Sequence, residues 1–360
     1  MMRWIKALLG FGKPQQTLPA VVSNPAQDSL AAIDDLSRAL STGHSAVEIG
    51  SALGNIHRLR GELDQAIRIR AALLRRSDLE PQDQARIYFE LGRDYSRAGL
   101  IDRARSAFAH YRDAKGDEQA LTEEMALLSV KSGDFLAASR YYHSLGMAPQ
   151  AAHYLVRAAG QNNTPSDQGL ILEARELYPP SPESWLESLA HTVRHQKWSE
   201  MLKVLEQGLS VIGPDLSFLL LDPLFDYDTS EIPTVIALPK EYLDKVVDII
   251  EKQPPNLSLI HYVGCLLRAH ERKEEATTWQ EKALLLNAEF WPARLELLIM
   301  ALPEQNMTTV FAFQLNFLLH RAQKVKRFVC RQCGLKRNQI FFCCPKCLAW
   351  HSIAFRQLFE

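Results

Sequence analysis

The stretch FELGRDYSRAGLIDRARSAF, residues 89 to 108, carries Leu91-Gly92, then Tyr95, Gly99, Ile101, Ala104 and Phe108. Its apolar residues recur three and four apart, the period of a helix with one buried face. Small residues at Gly92 and Ala104 would let two antiparallel helices approach, and the large ones would fill the groove between them. A copy lies upstream. SALGNIHRLRGELDQAIRIR, residues 51 to 70, places Leu53-Gly54, Gly61, Leu63 and Ala66 at the equivalent positions, 38 residues earlier at the Leu-Gly pair. A third copy, MALLSVKSGDFLAASRYY, repeats the pattern with Gly133, Phe135 and Ala138, 34 residues after the second.

A period near 34 with these residues is that of a tetratricopeptide repeat. Later copies are degenerate. SWLESLAHTVRHQKWSEMLKVLEQGL aligns through Trp185, Leu189, Trp198 and Leu205, and LIHYVGCLLRAHERKEEATTWQEKALLLN through Gly264, Leu267 and Ala276. The expected fold is mainly α: a tetratricopeptide-repeat α-solenoid over residues 30–322. No helix pair buries its apolar face alone, so stacking supplies a continuous core and leaves a groove suited to a peptide or helix of another protein. That architecture points to binding.

Outside the repeats, MMRWIKALLGFGK (residues 1–13) reads as a short basic amphipathic helix. Met1, Met2, Trp4, Ile5, Leu8, Leu9 and Phe11 share one half of the helical wheel, and Arg3, Lys6 and Lys13 the other. Such a helix can lie in the headgroup region of a membrane or dock on the chain's own core. Residues 14–29, rich in Pro, Gln, Ser and Asn, read as a linker. No window offers the roughly 18 to 20 apolar residues of a spanning helix. The stretch GPDLSFLLLDPLFDYDTSEIPTVIALP, residues 213 to 239, breaks the repeat rhythm. It reads either as a plug in the groove or as a long connection burying Phe218, Leu219, Leu220, Leu221, Leu224 and Phe225 against neighbouring helices.

Near the C-terminus, CRQCGLKRNQIFFCCPKC puts five cysteines into residues 330 to 347. The sixth, Cys265, lies in a helical run and is expected in the core. With no secretory signal ahead of them, a reducing compartment and a metal fit better than disulfides. Cys330-x2-Cys333 and Cys344-x2-Cys347 are two pairs of the spacing that presents four thiolates to one tetrahedral ion. Gly334 suits the tight turn after the first pair, and Pro345 stiffens the second. Residues 323–360 are therefore expected to form a rubredoxin-like or zinc-ribbon module around one structural ion, zinc or iron. A domain that small usually needs such a staple. Cys343, adjacent to Cys344, should point away from the ion because strand neighbours face opposite sides.

Composition is that of an ordinary globular protein: 360 residues, 47% hydrophobic, 23% charged, net charge −1. No global field draws it to nucleic acid or acidic lipid. The chain has no H-E-x-x-H, P-loop, G-x-S-x-G or dinucleotide fingerprint, so no catalytic residue and no organic cofactor site are expected. His191 and His195 stand at i and i+4 without a carboxylate as third ligand, and the remaining helical histidines are expected on solvated faces. His351, close after Cys347, could donate a hydrogen bond near the ion, although a plain surface or structural role is the ordinary reading for such a histidine. The basic run KVKRFVCRQCGLKR could meet phosphate, but no exposed aromatics for base stacking accompany it.

GNIHRLRGELDQAIRIR, LGRDYSRAGLIDRA and the CxxCG…CPxC module together resemble the lipopolysaccharide assembly protein B family of Gram-negative bacteria. The resemblance is specific in the first two repeats and the cysteine module, and weak from about residue 150 to 320. It implies a non-enzymatic adaptor at the cytoplasmic face of the inner membrane. Such an adaptor restrains lipopolysaccharide synthesis by promoting proteolysis of the lipid A pathway deacetylase through a membrane-bound ATP-dependent protease. The implied metal ligands are Cys330, Cys333, Cys344 and Cys347. Family members begin with a transmembrane helix, whereas this chain offers the short amphipathic segment 1–13, so it either attaches peripherally in the cytoplasm or is a soluble relative with other partners. An iron-thiolate redox protein and a nucleic-acid-binding regulator are the alternatives, and a homo-oligomer is open.

Overall fold

The computed structural model describes residues 46–114, 117–162, 167–226 and 234–357. The expected amphipathic segment 1–13, the linker 14–29 and residues 30–45 of the repeat region lie outside the described residues. Two compact units divide in the chain between Gln161 and Asn162.

The first unit is a run of antiparallel helix pairs: α1 (Ala46–Leu59) with α2 (Leu63–Leu73), α3 (Pro81–Arg97) with α4 (Ile101–Asp113), and α5 (Glu118–Ser132) with α6 (Phe135–Ser144), followed by α7 (Ala148–Asn162). The small residues act as the spacing implies. A Cβ on Gly92 would stand 2.5 Å from the Phe108 ring, and one on Gly54 would stand 2.7 Å from the Arg70 guanidinium. Ala66, Ala104 and Ala138 are wholly buried at the second-helix contact. Each pair turns through a left-handed glycine: Gly61, Gly99 and Gly133 have φ of 78°, 75° and 78°.

One feature of this unit has no simple sequence signature. Arg58 (α1) donates to Asp94 (α3) at 2.6 Å and also to Glu90, while Arg70 (α2) donates to Asp94. Arg58, Arg70 and Asp94 are all buried. The two guanidinium groups thus bind α1 and α2 to the first helix of the next pair. Buried charges are tolerated only when paired in this way.

The second unit continues with α8 (Asp167–Leu177), α9 (Pro182–Arg194) and α10 (Trp198–Val211). A 3-10 helix (Ser217–Leu224) and a two-residue hairpin, β1 (Phe225–Asp226) with β2 (Thr234–Val235), lead on to α11 (Lys240–Glu251). Then come α12 (Leu257–Ala269), α13 (Lys273–Leu286), α14 (Trp291–Ala301) and α15 (Thr309–Gln323). The degenerate copies keep the left-handed turn without its glycine: Gln196 and Glu271 take φ of 55° and 62°. Every residue from Ser217 to Leu224 is buried. Of the two sequence readings for this segment, the structure therefore gives the self-burying connection, with Phe218 through Leu221 inside the core.

The chain ends in a three-stranded antiparallel sheet of β3 (Phe328–Cys330), β4 (Lys336–Arg337) and β5 (Ile353–Phe355), in the order β4-β3-β5. Val329 faces Lys336 on one side and Ala354 on the other. LKRNQIFF yields one strand, β4; its Phe341 and Phe342 are buried outside the sheet, and the third strand comes from beyond the last cysteine.

Candidate metal centre

Two turns of the same construction hold the cysteines. In the first, the Gly334 N–H donates to the Cys330 carbonyl at 2.9 Å, and the Cys330 N–H donates to Leu335 at 2.9 Å. In the second, the Leu348 N–H donates to Cys344 at 2.8 Å, and the Cys344 N–H donates to Ala349 at 2.9 Å. Residue for residue the second turn repeats the first, down to a left-handed residue after the last cysteine. Gly334 has φ 70° and Leu348 has φ 60°. CPKCLA therefore folds as CRQCGL does, although only one of them has the glycine that makes the turn easy.

The turns face each other, and the sulfurs of Cys330, Cys333, Cys344 and Cys347 all lie within 4.8 Å of one another. Across the pairs, Cys330 is 3.6 Å from Cys347 and Cys333 is 3.6 Å from Cys344. A disulfide needs about 2.05 Å, so these are free thiols. Four sulfurs at about 2.3 Å from a tetrahedral ion would stand about 3.8 Å apart, which is close to the spacing found. Donor chemistry and geometry both fit a single thiophilic ion.

The electrostatics point the same way. Burial pushes the Cys330 thiol up, but the Ser352 hydroxyl, 3.2 Å away, and the N–H groups of Cys333 and Gln332 bring it down to about 6. The Ala349 N–H favours the Cys347 thiolate, yet desolvation and the sulfurs of Cys333, Cys344 and Cys330 hold that thiol up at about 12. Four thiolates this close repel one another unless a cation gathers them.

Cys343 stands outside the group, its thiol 3.6 Å from the Leu348 carbonyl and its backbone bridged to Trp350. Burial, and then Cys344, push it up to about 11. Cys265 is half-buried against the core, with its sulfur 3.7 Å from His261 and 3.8 Å from Gln280. Of the roles open to His351, the structure gives the one away from the ion: it bonds to Glu183 on α9, at 3.0 Å, and stacks on Tyr178. His261, expected on a solvated face, is buried against Phe355 and Phe290 and bonded to Gln280 at 3.0 Å. His191 and His195 have ring centroids 4.4 Å apart, with His191 held by Gln168. Among the described residues no group of three or more possible ligands forms apart from the four cysteines.

The sulfur group sits on a module joined to the helices by one hydrophobic core. Phe328, Cys330, Phe341, Phe342, Cys344, Ile353 and Phe355 belong to the same cluster as Trp185, Phe218, Tyr262 and Phe290. Arg327 reaches Asp222 at 3.4 Å, and Arg331 reaches Asp215 at 2.5 Å. Two cations of the basic run thus meet acids of the chain itself. Sequence patterning could not reveal this, because an arginine beside a cysteine turn reads the same whether its partner is intramolecular or foreign.

Fold and site together define a mainly α, tetratricopeptide-type repeat protein with a C-terminal rubredoxin-like four-cysteine module. No protein-family profile matches the chain. Among curated proteins it is similar to lipopolysaccharide assembly protein B of Escherichia coli strain K12, 22% identical over 371 residues that cover 89% of this chain and 84% of that one. The same protein of Escherichia coli O157:H7 matches to the same extent. Among solved structures, yeast Tom70 aligns over 78% of this chain and 64% of its own at 14% identity, TM-score 0.30. The TPR2AB domain of yeast Sti1 aligns over 76% of this chain and 98% of its own at 14% identity, TM-score 0.25. No helix among the described residues is long and apolar enough to cross a membrane.

Proposed function

We propose that this chain is a non-catalytic adaptor that regulates lipopolysaccharide synthesis. Its helical repeats bind protein partners, and Cys330, Cys333, Cys344 and Cys347 hold one structural ion, zinc or iron. The observation that carries the reading is the shared core: the four-sulfur module is packed into the repeat helices, so its integrity and theirs are one matter. Similarity to lipopolysaccharide assembly protein B over 89% of the chain supplies the pathway. The partners are then the membrane-bound ATP-dependent protease and the lipid A pathway deacetylase, and the adaptor presents the second to the first. Attachment is peripheral, on the cytoplasmic face of the inner membrane, through residues 1–13.

When bound, the ion cross-links the two turns and neutralises the crowded thiolates. The chain's own residues do the rest. Ser352 and the N–H groups of Gln332 and Cys333 stabilise the Cys330 thiolate, and β3 and β5 hold the first turn against Phe218. The test is complementation in an Escherichia coli strain lacking its own lipopolysaccharide assembly protein B. Expression of this chain should lower the steady-state deacetylase level, and Cys330→Ser or Cys344→Ser should abolish the effect and the metal content together. Cys343→Ser should leave both near wild type. An unchanged deacetylase level with well-expressed, metal-loaded protein would rule the reading out.

A further inference from the structure

Among the described residues, helix α15 packs on its own chain through one side. Leu319 is buried and Ala312, Leu315 and Ala322 are partly buried, whereas Val310, Phe311, Phe313, Phe317 and Leu318 are between 52% and 74% exposed. At about 100° per residue these five fall on one broad arc, opposite the packed side. A helical-repeat stack normally closes with a polar outer face, which keeps it soluble. The helix that ends this stack has the opposite: TVFAFQLNFLLHRAQ contains no acidic residue, and its first basic groups, His320 and Arg321, come only in the last turn.

We infer that this face is the contact between two copies of the chain, formed by α15 pairing antiparallel with α15 of a second molecule. Area and charge select that occupant. Three phenylalanines more than half exposed, with Val310 and Leu318, offer about 600 Å² of apolar surface per chain. That is at the upper end of what a monomer leaves uncovered, roughly 300–600 Å². Two copies together would hide about 1,200 Å², enough for a specific interface. A helix without charge over its first three turns meets its own copy without like-charge repulsion. Arg321, which lies over the Phe317 ring at 5.6 Å, would oppose its counterpart in a parallel pair and is separated from it in an antiparallel one. A lipid surface is disfavoured by the same pattern, since interfacial helices line their polar edge with lysine and arginine.

The test is sedimentation velocity on the full, metal-loaded chain at micromolar concentration, alongside Phe313→Glu and Phe317→Glu. Wild type should sediment as a dimer. Each variant should raise the dissociation constant by about a hundredfold or more, with unchanged far-ultraviolet circular dichroism and metal content. Amide exchange of residues 309–323 in the wild type should slow as protein concentration rises. A monomeric wild type overturns the inference, whether the chain then floats with phosphatidylglycerol vesicles or stays free. So does a dimer that survives both charge substitutions.

Discussion

Leu348 shows how a single residue carries strain for the metal turn. Its φ of 60° is the conformation its counterpart Gly334 adopts without cost, and a side chain there costs about 1–2 kcal/mol. Leu348→Gly should therefore stabilise the metal-loaded protein by about 1 kcal/mol, and Gly334→Ala should destabilise it comparably; paired urea melts measure both. The sequence marked Gly334 as a turn residue but carried no mark for Leu348, because the second turn is imposed by hydrogen bonds to Cys344 and Ala349. Glu90 is a second case. Burial pushes its carboxyl up, and Arg58, Arg93 and Arg70 outweigh that, holding it at about 2 against an ordinary 4.5. A depressed carboxyl contributes stability that is complete above its unfolded value and lost as pH falls toward the folded one. Asp94, raised by burial, works in the opposite sense. Glu90→Gln should destabilise the protein at neutral pH and flatten the loss of stability between about pH 4.5 and 2, read from melts across that range.

Among the elements, the helix pairs are where spacing was most informative. The glycine of the first helix meets the residue sixteen places on: Arg70 for Gly54, Phe108 for Gly92, Gln280 for Gly264. Only the small partner of each contact repeats, so patterning identified the close approach without identifying what fills it. Gly92→Ala should cost about 1–3 kcal/mol, because the Phe108 ring is fully buried and cannot swing aside; thermal melting of the purified variant checks this. The degenerate pairs escaped a clear reading for a related reason. Gln196 and Glu271 hold the turn position that glycine marks elsewhere, so the backbone persists where the residue type does not. Replacing either with glycine should raise stability by about 0.5–1 kcal/mol, measured in the same melts.

In the second unit the module and the helices are one folding problem. Phe355 makes edge-on or tilted ring contacts with Phe218 of the 3-10 helix, His261 and Tyr262 of α12, and Phe290 just ahead of α14. Glu183, buried on α9, receives His351 from beyond the last cysteine. Chelating the ion should thus do more than loosen residues 323–357. We expect amide protection to fall along α9 and α12 as well, and the melting transition of this unit to drop, whereas α3 and α4 in the other unit keep their protection. Hydrogen exchange with and without chelator distinguishes this from a module that melts alone.

What the sequence by itself determined is what lies within one or two turns of the chain. Helix pairs announce themselves by small residues at fixed intervals, and the thiol turns by C-x-x-C, because both depend on neighbours a few residues apart. Tertiary structure alone decided which groups meet across long separations: Arg58 and Arg70 on Asp94, Arg327 on Asp222, His351 on Glu183, and the apolar strip of α15 left facing outward. Those choices follow from packing many helices at once, where a side chain's partner is set by the position of another element rather than by its own surroundings in the chain.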